Sequence, residues 1–263
     1  VAAYCREHSL EVLFAYEGDV LVGVLPLLLS RDLRHFGRVV AKALSSDHTI
    51  CGDMSVLPGR ERECFEFFLG CIDRELPGVI DIEFPYITDG SPTYQLSTDS
   101  WPSHNTFARD WGQCGWLPCE GGFSNYHLQL DRELKKNLRR LTKRLADAGR
   151  VSVSIVSSAD AEPSHFQRFV RLEHSGWKGN RGTSICSSGL TLSFYRVLTS
   201  RLQDLGWLEW HFMEIDGKDI AAQLAVRTGS TLCLVKTAFD ENYRRFAPGK
   251  LLFEQTLKRA FEA

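Results

Sequence analysis

No stretch of this chain approaches the roughly 20 consecutive apolar residues that a membrane-spanning helix needs. The most apolar run, "VLVGVLPLLL", is short and follows a turn, so it reads as a buried strand. No charged-then-apolar leader opens the chain, which starts at "VAAYCREH" rather than at a methionine. Close cysteine pairs of the zinc type are missing as well. The eight cysteines lie scattered at 5, 51, 64, 71, 114, 119, 186 and 233, most among apolar neighbours. Free thiols in a reducing cytoplasm are the reading, with a structural disulfide or a nucleophilic cysteine as the alternatives, and no metal site is expected. Charge of one sign is not in excess either. A formal net charge of −2 argues against a broad nucleic-acid surface, DNA included, and leaves room only for a local basic patch.

What is present is the composition of a soluble globular protein, 43% hydrophobic and 24% charged, long enough at 263 residues for one large core or two ordinary ones. In the second half, "VSVSIVSS" (151–158) alternates as a strand, and helical periodicity runs from Pro163 to His174 and from Leu190 to Leu205. Three strands follow, "WLEWHFMEI", "KDIAAQLAVRT" and "TLCLVKTAF", divided by turns at Asp216-Gly217 and Gly229-Ser230. Next come two arginines, Pro248-Gly249 and a closing amphipathic helix. A helix N-terminus whose backbone is free to approach a ligand, with positive charge beside it, suits a phosphate.

The first half holds the same parts in the same order. "LEVLFAYEGDVLVGVLPLLL" lies over "LEWHFMEIDGKDIAAQLAVR" at an offset of 198, "RVVAKALSS" puts Lys42 opposite Lys236, and "PGRERECFEFFLG" matches "PGKLLFEQTLKRA" at an offset of 190. We read an internal duplication of a hairpin–strand–loop–helix unit, with a helix from Gly59 in the first copy. A strand at "VIDIEFPYI" follows that helix but has no counterpart after the second, so the chain reads as lacking its final strand, and "VAAYCREHS" as the tail of a helix begun upstream. Between the copies, "DRELKKNLRRLTKRLADAG" (131–149) places leucines at helical spacing opposite a basic face, with Asp131 to cap it and Gly149 to end it. The fold expected is mixed α/β (α+β): two tandem domains, 1–130 and 131–263, each a mostly antiparallel sheet flanked by helices.

The run "RLEHSGWKGNRGTSI", the helix containing "FYRVL", "IDGKDIAAQLAV" and "KTAFDENYRRFAPGKLL" together resemble the C-terminal half of the CelD/BcsL-type acetyltransferases. These belong to the Gcn5-related N-acetyltransferase (GNAT) superfamily and are similar in architecture to the Fem aminoacyltransferases. The resemblance spans about 131–263 and is weaker over 1–130. It implies acetyl or other short acyl transfer from acyl-coenzyme A to an amine or hydroxyl, by direct attack on the thioester, with an acceptor such as a sugar or cell-envelope precursor. The family's pyrophosphate loop, Arg/Gln-x-x-Gly-x-Gly/Ala, falls on Arg244, Ala247 and Gly249. Ala247 replaces a glycine and Pro248 removes a donor, so Arg245 and Lys250 would have to compensate by direct charge-assisted contacts. The first copy has "CGDMSVL" at that place and is expected to bind no cofactor.

The chemistry needs a base, oxyanion donors and positioning. Glu173, which the family places beside the acceptor, is the first candidate base, and His211, with an unperturbed pKa near neutrality, the second. Lys236 stands mid-strand, where a charge needs a cleft or a partner, and is the candidate for steadying the oxyanion or a substrate carboxylate. Trp177, Lys178 and Gln223 are the candidate acceptor contacts. Two other readings stay open: a Fem-like enzyme fed by aminoacyl-tRNA, whose phosphates would meet the basic helix 131–149, and a binding module that keeps the fold without the activity.

Overall fold

The computed structural model describes residues 9–46, 48–49, 51–99 and 105–262. The expected helix tail at the start therefore lies outside the described residues, apart from Ser9, which already belongs to a strand. The described chain forms two compact units, 1–114 and 115–263.

In unit 1, β1 (Ser9–Glu17), β2 (Val20–Asp32) and β3 (Arg38–Ala43) form an antiparallel meander, and the short β4 (Ser55–Val56) pairs with β2. Helix α1 (Glu61–Glu75) then returns the chain to β5 (Val79–Glu83), which runs parallel to β3. Side-chain alternation sends Leu25, Leu27, Ala41 and Ala43 to the face that α1 covers with Cys64, Phe68 and Ile72. The approach is close at Gly23, where a Cβ would come within 2.9 Å of Cys64 Sγ. The helix starts at Glu61 rather than at Gly59, because Gly59 sits at φ 86, outside helical space. Helix α2 (Pro92–Ser97) adds Leu96 to Phe65 and Leu69.

Unit 2 opens with α3 (Phe123–Gln129) and the basic α4 (Arg132–Ala146). Asp131 Oδ1 caps α4 by accepting from the amides of Glu133 (2.8 Å) and Leu134 (3.1 Å). Gly149 lies beyond the helix end and serves a different purpose: a Cβ there would stand 2.3 Å from Asp216 Oδ2, so glycine lets the next hairpin turn close on Arg150. Strands β6 (Val151–Ser157), β7 (Leu208–Ile215), β8 (Lys218–Thr228) and β9 (Thr231–Phe239) form one antiparallel sheet in sequence order. Asp216 and Gly217 both adopt positive φ in the β7–β8 turn. Between β6 and β7 lie α5 (Pro163–Ser175), the single-turn α6 (Trp177–Asn180) and α7 (Gly189–Asp204); α8 (Pro248–Phe261) follows β9.

The sheet of unit 2 has a distinct core on each face. Leu208, Trp210, Phe212, Ala222 and Leu224 pack with Phe169 of α5 and Tyr195 of α7. On the opposite face Met213, Ile215, Ile220 and Ala221 meet Leu138, Leu141 and Leu145 of α4 and Leu251 and Leu252 of α8. Among the described residues no helix is long and apolar enough to cross a membrane, and Cys51, Cys64, Cys71, Cys119 and Cys186 keep their thiols out of disulfides.

Candidate active site

Proline at the first turn and a capping box between Glu162 and His165 start α5, and the helix stops at Gly176. A Cβ at Gly176 would lie 3.4 Å from the Phe239 carbonyl, so α5 ends against β9. Gly179 is tighter still: a Cβ would fall 1.8 Å from the His174 carbonyl oxygen, and only glycine lets α6 fold back under the end of α5. That fold brings Lys178 to Glu173.

The result is a buried charge cluster. The Glu173 side chain has no solvent exposure; its Oε1 accepts from Lys178 Nζ at 3.3 Å and Lys236 Nζ at 3.2 Å. Its Oε2 accepts from the Ile185 amide at 2.8 Å. Lys178 Nζ also donates to the Thr237 carbonyl at 3.0 Å, and Lys236 Nζ lies 5.1 Å from the Tyr195 ring centroid. Burial pushes the Lys178 ammonium below the ordinary lysine range, the Lys236 charge adds to that, and Glu173 offsets only part. Three residues singled out in the sequence, from α5, α6 and β9, thus meet. Glu173, with three donors on two oxygens, has the geometry of an anchor. Trp177 is half-exposed beside them, with the Arg181 guanidinium 5.2 Å from its ring.

His211 and Gln223 do not join this cluster. Alternation along β7 and β8 turns them to the α8 face, where both are buried. His211 Nδ1 is 2.8 Å from Thr256 Oγ1, and its Nε2 is 3.1 Å from Glu209 Oε2. Thr256 Oγ1 lies 2.5 Å from Gln223 Oε1. Burial would raise the Glu209 pKa, but hydrogen bonds from His211 and Arg227 and the charges of Arg227 and Arg259 outweigh it and hold the carboxyl at about 2. Arg227, Thr256 and Tyr195 escape a reading of the sequence for chemistry, whereas Glu209 is visible there as sharing a strand face with His211. The one available signal for Arg227 is a charge near the end of a largely apolar strand.

At the loop after β9, Asp240 Oδ2 accepts from Lys218 Nζ (2.6 Å) and Oδ1 from the Asn242 amide (2.9 Å), which fixes the turn. A 3-10 turn over Glu241–Phe246 leads to Ala247 at φ 50, ψ 52, the left-handed region. The amides of Lys250 and Leu251 both bond back to the Ala247 carbonyl, and Pro248 has none, which leaves the Gly249 amide open among the described residues. Phe246 is buried, whereas Arg244, Arg245 and Lys250 are exposed, the Arg245 guanidinium resting 4.7 Å from the Phe246 ring. The Arg144 guanidinium of α4 approaches the same ring at 5.8 Å. In unit 1, Asp32, His35 and Glu83 bring ligand atoms within 4.8 Å of one another, a grouping invisible in sequence spacing; the Arg34 guanidinium already ion-pairs with both acids, at 2.5 and 3.4 Å.

Residues 132–263, half of the chain, match the acetyltransferase (GNAT) domain family. Two solved structures share the fold. A crystal structure of FemX superposes with a TM-score of 0.61 at 11% identity, over 97% of this chain and 77% of that one. The C-terminal domain (DUF2156) of a putative lysylphosphatidylglycerol synthetase from Agrobacterium fabrum gives 0.53 at 13% identity, over 99% and 72%. No curated protein sequence matches the chain.

Proposed function

The chain belongs to the GNAT acetyltransferase family, and from that premise we propose that unit 2 transfers an acetyl or other short acyl group from coenzyme A to an amine or hydroxyl. The observation that carries this reading is the pairing, along one strand, of a phosphate-type helix mouth and a buried cationic cluster. Lys236 and Thr237 belong to the cluster, and the chain leaves the same strand at Phe239 for the arginine loop. In this reading the open Gly249 amide and the Arg244, Arg245 and Lys250 side chains hold the pyrophosphate. The acceptor lies against Trp177 and Lys178, and the Lys236 ammonium steadies the oxyanion that forms as the nucleophile adds to the thioester carbonyl. The carbon–sulfur bond then breaks, and the thiolate leaves and is protonated. Within the family, the CelD/BcsL-type resemblance supports a sugar or cell-envelope precursor as acceptor, and the free thiols fit a cytoplasmic setting. We further propose that units 1 and 2 are tandem copies, since each carries a three-stranded meander followed by a helix.

Calorimetric titration with acetyl-coenzyme A tests the reading. Binding tighter than about 1 mM is expected, weakened roughly tenfold or more in R244A and again in R245A. A dissociation constant above that limit, or one indifferent to both arginines, would remove the phosphate cradle and the reading with it.

One observation favours a second reading. Helix α4 carries Arg132, Lys135, Lys136, Arg139, Arg140, Lys143 and Arg144 around one acid, Glu133, and none of the seven is in an ion pair among the described residues. A Fem-like donor, an aminoacyl-tRNA, would use that face. Its test is tRNA binding whose affinity falls steeply with salt and is lost in a K136E/R140E variant.

A further inference from the structure

Two lysines share a single buried carboxylate in the candidate site, and that stoichiometry has a chemical consequence. Glu173 can balance one ammonium. With both lysines protonated, the cluster carries an excess positive charge in a place where the carboxylate has no exposure and the lysine side chains keep only 21% and 13% of theirs. The neutral arrangement has one lysine as free amine, and the two sites are not equivalent. Each Nζ has a ring beside it, Tyr195 at 5.1 Å from Lys236 and Trp177 at 5.9 Å from Lys178, so the difference between the sites lies in their hydrogen bonds. Lys178 Nζ makes two hydrogen bonds, to Glu173 Oε1 and the Thr237 carbonyl, and a neutral amine has two N–H donors for them. That leaves its lone pair unused.

We propose that Lys178 is held as the free amine and is the proton acceptor of the transfer reaction, with Glu173 as the residue that positions it. The proposal rests on the acyltransferase reading above. The proton on the attacking amine or hydroxyl passes to Lys178 Nζ as the nucleophile bonds to the acyl carbon. The electron pair of the broken carbon–sulfur bond stays on sulfur, and the thiolate takes a proton from solvent, as Lys178 later returns one. The groups that set its charge state are Glu173 from α5, Lys236 from β9 with the Tyr195 ring of α7 beside it, and the Trp177 ring of α6, 5.9 Å from Lys178 Nζ, with the Arg181 guanidinium over the same ring. The depression of the Lys178 ammonium by burial and by Lys236 agrees with this geometry. An arginine in place of Lys178 keeps a positive charge and cannot accept a proton.

The experiment follows the lysine side-chain 13Cε and 15Nζ resonances through a pH titration of the whole chain, with Lys178 assigned by its loss in K178R. The expected Lys178 midpoint lies below that of the exposed lysines, which titrate near about 10.4. It moves up in K236M, which removes the competing charge, and further down in E173Q, which removes the compensating one. Where K236M fails to fold, E173Q decides by its opposite sign. Thiol release from acetyl-coenzyme A, with water as acceptor, is expected to fall by roughly 10²–10⁴-fold in K178R and to lose its acidic limb. A Lys178 that titrates with the surface lysines overturns the proposal, as does a K178R that keeps the wild-type acidic limb. Failure of acetyl-coenzyme A to bind overturns the transferase reading and the proton-acceptor role together, while the Lys178 midpoint still decides the charge state of the cluster.

Discussion

Replacing Glu173 by glutamine is the sharpest test of the buried cluster, because it changes one charge and almost no volume. The amide can still accept from the Ile185 N–H through its oxygen, so the loss falls on Lys178 and Lys236, which then share a pocket with no carboxylate. Breaking a buried ion pair from one side typically costs about 3–5 kcal/mol, since the remaining charge is stranded. Here the two lysine side chains retain 21% and 13% exposure, so we expect the lower end, about 3 kcal/mol. Urea unfolding followed by circular dichroism reads the change as a lower midpoint at constant slope. A second substitution, K236M, on the E173Q background should recover part of the loss, leaving the double variant at least about 1 kcal/mol more stable than the sum of the two single costs. An E173Q penalty below about 1 kcal/mol, or two costs that simply add, would refute the shared-carboxylate argument.

Ala247 pays a left-handed backbone at φ 50, so A247G should raise the melting temperature by roughly 2–4 °C for about 1 kcal/mol; calorimetry showing a decrease would sink this. Glu209 titrates at about 2 when folded against an ordinary 4.5, so its contribution is complete above pH 4.5 and is lost as pH falls towards 2. That loss is roughly 3 kcal/mol, and E209Q should flatten the stability curve over the same interval, as read by urea midpoints at successive pH values. Truncating Trp210, which is 1% exposed between Phe169 and Phe212, should cost about 3–5 kcal/mol by the same urea assay; a cost under 1 would mean the α5 face is not packed as described.

The strands of unit 2 are legible in the sequence because their period of two, their Asp-Gly and Gly-Ser turns and their apolar middles all agree. Helices α4, α5 and α7 are legible for the corresponding reason at helical spacing. The helices α2, α3 and α6 are not, since four to seven residues hold too few turns for a periodicity to show. Site residues divide along another line. That Lys236 needs a partner follows from a charge placed mid-strand, but that the partner is Glu173, 63 positions away, depends on how α5 stops at Gly176 and α6 turns at Gly179. His211 draws attention as a titratable residue, and only the alternation of β7 against α8 shows that its surroundings differ from those of Glu173.

Those surroundings differ in a way that separates architecture from chemistry. On the α8 face the buried polar groups form one chain, from Glu209 through His211 and Thr256 to Gln223. Glu209 is ionised and accepts from His211 Nε2 and from Arg227 Nε, and the Thr256 hydroxyl, 2.8 Å from His211 Nδ1, donates to Gln223 Oε1. Glu209, His211, Gln223 and Thr256 are all buried, and each is bonded to another member of the chain. On the α5 face the accounting does not close: one carboxylate, two amines, an amide and a carbonyl leave a lone pair or a charge over, whichever way the protons are placed. A closed network stabilises a fold, whereas a group able to gain or lose a proton without breaking its hydrogen bonds is what acyl transfer requires. That asymmetry, rather than the identity of any single residue, directs the search for the acceptor to the Lys178 side of the sheet.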